Sequence, residues 1–236
     1  RLMISMPPRH GKSELTSRRF PAWFLGRHPD KSIIAASYNS DLATDFGRQV
    51  RNILETDEYR GLFGTTLADD SRAANRWNTK EGGAYVAAGV GTAITGRGAD
   101  VLLIDDPLKD REEADSELHR QKIWDWYTST AYTRLAPGGR IIVIQTRWHS
   151  DDLSGKLLEE QKRGGDSWEV LELPAINEAG EALWPDFYPL KTLERTRSVL
   201  PARDWSALYQ QRPAPEEGDY FKAEWLKPYD KAPARD

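Results

Sequence analysis

Short apolar runs and longer segments of helical period alternate along the chain. Leu2-Met-Ile4 is a brief apolar run that leads straight into a glycine-lysine-serine and a helical pattern from Ser13 to Leu25, in which Leu15, Phe20, Trp23, Phe24 and Leu25 carry the apolar face and Pro21 marks a kink or a fresh start. The run 31–37 has strand length, and Ser40 or Asp41 is placed to cap an amphipathic helix carrying Leu42, Phe46, Val50, Ile53 and Leu54. Residues 56–83 are polar and turn-rich, with aromatics at Tyr59, Phe63 and Trp77 but no clear period. Ala84–Ala88 then reads as a strand, followed by a loop over 89–98 with four glycines. Asp100-Val-Leu-Leu-Ile-Asp-Asp-Pro107 reads as a buried strand ending in two carboxylates. A long helix is predicted over 112–135, a strand from Gly138-Gly139 to His149, a helix from Ser150 or Asp151 to about Arg163, and a last strand over 168–174.

Strands alternating with helices predict a mainly parallel sheet covered on both faces, an α/β three-layer sandwich. After residue 174 proline becomes more frequent and short helices near 190–200 and 202–211 precede a loop at 212–218. The division expected is a core over 1–174 and a small lid or linker subdomain over 175–236.

Composition narrows the chemistry. The 236 residues contain no cysteine, which excludes disulfides and thiolate metal sites, and no apolar run has membrane-spanning length. A formal net charge of −4 argues against nucleic-acid binding through the overall field, although arginines recur along the chain among acidic neighbours. Trp124 and Trp126 fit core packing better than base stacking, and His149 fits a surface or hydrogen-bonding histidine better than a metal ligand.

The candidate chemistry begins at Met6-Pro-Pro-Arg-His-Gly-Lys-Ser13. A strand, a tight loop and a helix N-terminus form a phosphate-binding loop, in which Pro8, Arg9, His10, Gly11, Lys12, Ser13 and Glu14 surround the phosphates, Lys12 reaches the β/γ-phosphates and Ser13 holds Mg²⁺. Met6 stands where the usual pattern has glycine, and the plainer reading is a helix start after a turn. Ligands of open parallel sheets bind beyond the carboxyl ends of the strands, so Asp105 is placed to reach the Mg²⁺ and Asp106 to orient a water; the alternative is a strand-terminal aspartate capping a turn. Gln145 and Thr146 end the next strand on the same edge, where they are placed to sense the γ-phosphate.

Taken in order, MPPRHGKS (6–13), AASYNSDLATDFGRQVRNIL (35–54), TGRGADVLLIDDPLKDREEAD (95–115), RIIVIQTRWHSDDL (140–153) and YQQRPAPEEGDYF (209–221) resemble the ATPase domain of bacteriophage large terminase subunits. The resemblance implies a P-loop NTPase of the RecA-like (ASCE) type that uses ATP and Mg²⁺ to drive viral double-stranded DNA into a procapsid. It implies as partners the portal protein, the small terminase subunit and further copies of the chain in a ring, with a monomer in isolation, no membrane, and the host cytoplasm as location. By the same resemblance Arg9 contributes positive charge near the γ-phosphate, Asp105 binds Mg²⁺, and Asp106 occupies the position of the catalytic glutamate, with Glu112 or Glu113 as fallback bases. Arg97 looks like the trans-acting arginine finger, and Gln145 and Thr146 like the coupling motif. The chain reads as an excised part of a longer protein whose nuclease domain and upstream adenine-contacting segment lie elsewhere, so no DNA cleavage is expected of it. A helicase-like motor and an ATP-binding interaction module without turnover are the alternatives.

Overall fold

The computed structural model describes residues 1–94, 96 and 98–213. Arg97 and most of the 209–221 segment therefore lie outside the described residues. Strand β1 (Leu2–Ser5) leads through the loop into a π-helical segment, Glu14–Arg19, that continues as α1 (Phe20–Arg27) with Pro21 in its first turn, where the missing N–H does no harm. There follow β2 (Ser32–Ser37), α2 (Ser40–Leu54), α3 (Asp57–Phe63), β3 (Leu67–Arg72), β4 (Arg76–Thr79), β5 (Ala84–Gly89) and β6 (Ala99–Asp105). The second half comprises α4 (Arg111–Asp115), α5 (Glu117–Trp126), β7 (Leu135–Gln145), α6 (Leu153–Lys162), β8 (Glu169–Glu172), α7 (Leu190–Val199) and α8 (Ala202–Asp204).

Among the described residues the strands form one eight-stranded sheet in the order β3-β4-β5-β2-β6-β7-β1-β8. It is parallel from β5 to β8, with β3 and β4 added antiparallel at the far edge. The central strands are apolar at successive positions because both faces are covered. Ile34, Ala36, Leu102 and Ile104 face a cluster that includes Ile123 and Trp126 of α5 and Leu153 and Leu157 of α6. Ile33, Ala35, Val101 and Leu103 face the opposite cluster with Leu25 of α1 and Val50 and Leu54 of α2. Gly47 lets α2 lie close on the sheet, since a Cβ there would stand 2.7 Å from the Ala74 carbonyl oxygen and 2.9 Å from the Tyr85 ring. A separate small cluster of Ala175, Leu193 and Trp205 holds the segment after β8 together.

The structure corrects several boundaries. The stretch 56–83 forms α3 and an antiparallel β3–β4 hairpin, anchored by Trp77, which is fully buried, stacks on Tyr85 and donates its indole N–H to the Gly47 carbonyl. The helix predicted over 112–135 breaks at Ser116, whose hydroxyl caps α5, and after Trp126 it loosens into a π-helical turn and a 3-10 turn. β7 begins at Leu135 rather than at Gly138, because a bulge between the Leu135 and Arg140 pairings absorbs the glycines, Gly138 with φ of 77°. The caps of α2 and α6 are Asn39 and Asp152, each one residue off the expected pair and each accepting an amide N–H from three residues on. Among the described residues no helix is long and apolar enough to cross a membrane.

Candidate functional site

The site forms where β1, β7 and β6 end side by side. β7 lies between the other two, so the loop after β1 and the aspartates after β6 meet across its C-terminus. The Met6 amide donates to the Gln145 carbonyl and the Asp106 amide to the Ile144 carbonyl, which ties both loops to the end of β7. Met6 itself packs against Ile4, Ile144, Leu173 and Leu183, so the side chain that replaces glycine anchors the loop in the apolar layer beneath it. Arg9 with φ of 63° and Gly11 with φ of 87° turn the chain back, and the helix starts at once, with the Leu15 amide bonded to the Gly11 carbonyl.

Lys12 and the two aspartates form the electrostatic centre. Lys12 is 8% exposed, and its Nζ stands 2.7 Å from Asp106 Oδ2. The other Asp106 oxygen accepts the Thr146 amide N–H at 2.7 Å, and Asp106 takes a left-handed φ of 43° to make both contacts. Asp105 is buried; its Oδ2 accepts a 2.5 Å hydrogen bond from the Ser17 hydroxyl, while its Oδ1 has no hydrogen-bond partner among the described residues. Burial, and after it the neighbouring Asp106 charge, pushes the Asp105 pKa up to about 6, against the opposing pull of Ser17, Lys12 and Ser13.

These donors suit a hard divalent cation. A buried carboxylate with an orphaned oxygen beside the Ser13 hydroxyl offers the one or two protein oxygens that Mg²⁺ takes when phosphates and water complete its shell. Among the described residues no group of three or more His, Cys, Asp or Glu side chains forms a dedicated cage.

The remaining candidates divide. Gln145 and Thr146 are buried beside the centre, and the Gln145 amide nitrogen lacks a hydrogen-bond partner among the described residues. Arg9 is exposed on the loop, and Pro8 offers its carbonyl oxygen to His10 Nδ1 at 2.9 Å. The Glu14 carboxylate turns away from the loop and pairs with Arg18 and Arg19. Glu113 accepts the Lys109 amide while its own amide donates to the Asp110 carboxylate, so this fallback base is engaged at the N-terminus of α4. His149 is buried and accepts the Asp151 amide through Nδ1. Just behind Thr146, Arg147 forms a buried ion pair with Asp152 at 2.8 Å, where burial raises the carboxyl pKa and the guanidinium opposes that rise.

Ser17 escapes a motif-based reading although its signal is present. It lies four residues after Ser13 on one face of a helix whose start is fixed by the loop, so it points at the same strand end. The π-helical widening over 14–19 occurs in this same turn, a common place for such irregularity. The aromatic segment Trp184–Tyr188 also escapes that reading, because only the tertiary fold brings it to the loop. There the Tyr188 ring stacks on His10, with centroids 4.3 Å apart and planes 16° from parallel.

A mainly parallel sheet with a glycine-lysine-serine loop after β1 and an acidic pair one strand away across β7 is the P-loop, RecA-like α/β fold. Within that class the chain belongs to the family of terminase large subunits, T4-like type, N-terminal part, whose family model matches residues 3–228. The ATPase domain of the Thermus phage P74-26 large terminase matches it at a TM-score of 0.63 and 13% identity, over 90% of this chain and 88% of that one. The HK97 bacteriophage large terminase matches at 0.57 and 13% identity, over 89% of this chain and 46% of that one. The large terminase of a thermophilic bacteriophage, in complex with ATP-gamma-S, matches at 0.52 and 12% identity, again over 89% and 46%. At these identities the likeness establishes the fold, and the chain spans less than half of the last two proteins. No curated protein matches the sequence.

Proposed function

We propose that the chain is the Mg²⁺-dependent, ATP-hydrolysing motor module of a phage large terminase, which drives viral double-stranded DNA into the procapsid from the host cytoplasm. The observation that carries this reading is the meeting of the loop lysine with the acidic pair, Lys12 Nζ at 2.7 Å from Asp106 Oδ2 beside buried Asp105. The loop amides from Arg9 to Glu14 and the N-terminus of the following helix bind the phosphates, with Arg9 adding positive charge at the γ-phosphate and Pro8, which has no N–H, shaping the turn. Ser13 and Asp105 hold Mg²⁺, which when bound neutralises charge on the phosphate oxygens. Lys12 exchanges Asp106 for the phosphates, and the freed Oδ2 accepts a hydrogen bond from the attacking water. Asp106 keeps its aim through the Thr146 amide, so Gln145 and Thr146 report the state of the site to the rest of the sheet. Arg97 from a neighbouring copy in a ring on the portal supplies the missing positive charge, so an isolated monomer turns over slowly. In this reading the core spans 1–174, and the described residues beyond it, 175–213, belong to a lid or linker subdomain. The small terminase subunit is a further partner.

ATP turnover on the assembled motor tests the reading. Lys12→Ala and Asp105→Ala should each lower it by about 100-fold or more; rates equal to wild type for both would refute it. A second reading, a nucleotide-gated interaction module without turnover, is favoured by the engagement of both Asp106 oxygens. Tight ATP binding with no phosphate release in the presence of portal and DNA would decide for it.

A further inference from the structure

β8 lies outside β1 at the edge of the sheet, and the Leu173 amide bonds to the Ser5 carbonyl, so the chain leaves β8 alongside the phosphate loop. A short hairpin, closed by the Leu183 amide on the Ala175 carbonyl and by an antiparallel bridge between Ile176 and Ala182, turns the chain back. Leu183 packs into the apolar layer around Met6, and a turn bonded from the Tyr188 N–H to the Trp184 carbonyl follows. The Trp184 ring arrives 3.9 Å from where a Cβ on Gly11 would stand, directly against the loop.

These rings form a connected row. Tyr188 stacks on His10, Phe187 meets Tyr188 edge-on at 5.0 Å, and Trp184 stacks on Phe187 at 4.9 Å. The row is buried at the His10 end and open at the other, where Trp184 is 41% and Phe187 62% exposed. His10 Nε2 is buried without a hydrogen-bond partner among the described residues. Two large, partly exposed rings packed on each other beside the loop are of the kind that stacks on a planar base.

We propose that Trp184, backed by Phe187, stacks on the base of the nucleotide whose phosphates enter the loop. This rests on the nucleotide-binding reading given above and adds to it a group of this chain that tells a nucleotide from a bare polyphosphate. Because stacking uses the ring face alone, the platform favours nucleoside triphosphates over tripolyphosphate without selecting strongly among bases.

The test is calorimetric titration of the full chain with MgATP and with magnesium tripolyphosphate. Trp184→Ala should weaken ATP on the order of tenfold while leaving tripolyphosphate unchanged, and Trp184→Phe, which keeps a ring, should restore most of the loss. Unchanged ATP affinity in Trp184→Ala would overturn the proposal. So would an equal loss for both ligands, since that would make Trp184 a prop for the loop rather than a contact for the base. If wild type binds neither ligand, the nucleotide-binding reading itself fails and the platform with it. If tripolyphosphate binds and Lys12→Ala abolishes that binding, the loop reading stands whatever Trp184 does.

Discussion

Replacing Asp105 by asparagine should stabilise the metal-free protein, and more so at high pH than at low. The carboxyl is buried beside a second aspartate, and its pKa rises from 3.8 to about 6. The folded state therefore holds the proton more strongly than the unfolded chain, and stability is lost as pH climbs through that interval. The full penalty is about 3 kcal/mol near pH 8, and roughly half of it remains near pH 5. Asparagine carries no charge, keeps an oxygen for the Ser17 hydroxyl and offers an N–H₂ toward Ser13. Denaturant unfolding in EDTA should thus show Asp105→Asn more stable than wild type by about 3 kcal/mol near pH 8, equivalent to about 6–12 °C in Tm, with the gain roughly halved near pH 5. With Mg²⁺ and ATP the difference should shrink, because the ionised carboxylate is the form a cation uses. A variant no more stable than wild type near pH 8, or a gain independent of pH, would refute the reasoning.

Two other substitutions test the surroundings of this centre. Arg147→Ala leaves buried Asp152 without its cation and should destabilise by about 3–5 kcal/mol; since burial already raises the Asp152 pKa, the deficit should shrink as pH falls and the carboxyl takes a proton, and an unfolding series that found it constant or growing would speak against this. Asp106→Asn should lower kcat by about 100-fold or more while ATP still binds as tightly as in wild type or tighter, because Lys12 no longer has to leave a carboxylate; turnover at the wild-type rate would remove Asp106 from the chemistry.

The elements most legible in the sequence are those whose signal is local. β2 and β6 are apolar on both faces, and the loop from Met6 to Ser13 joins a strand to a helix with little room for another geometry. The antiparallel β3–β4 pair is opaque because its residues are mostly polar. What holds it are distant contacts, chief among them the pairing of β4 with β5 and Trp77 stacked on Tyr85 under Gly47. Helix breaks escape the periodicity where a serine competes for the backbone, as at Ser116. In the site, the meeting of Lys12 with Asp106 follows from strand order, which alternation of elements implies only in outline. Ser17 and Trp184 become visible once the helix phase and the path beyond β8 are fixed in space.

The place of β1 in the sheet has a consequence for how the molecule is made. Leu2 pairs with Ile142 on one side and with Glu169 on the other, so the strand synthesised before the other seven is among the last to find its neighbours. Contacts this remote in sequence close slowly, and until they do the phosphate loop hangs from an unpaired apolar segment exposed to chaperones and to other nascent chains. A product truncated between residues 150 and 168 would contain every catalytic candidate named above and still lack β8, one of the two strands that flank β1. Translational pausing or premature termination late in the core should therefore release inactive, aggregation-prone polypeptide rather than a weakened enzyme.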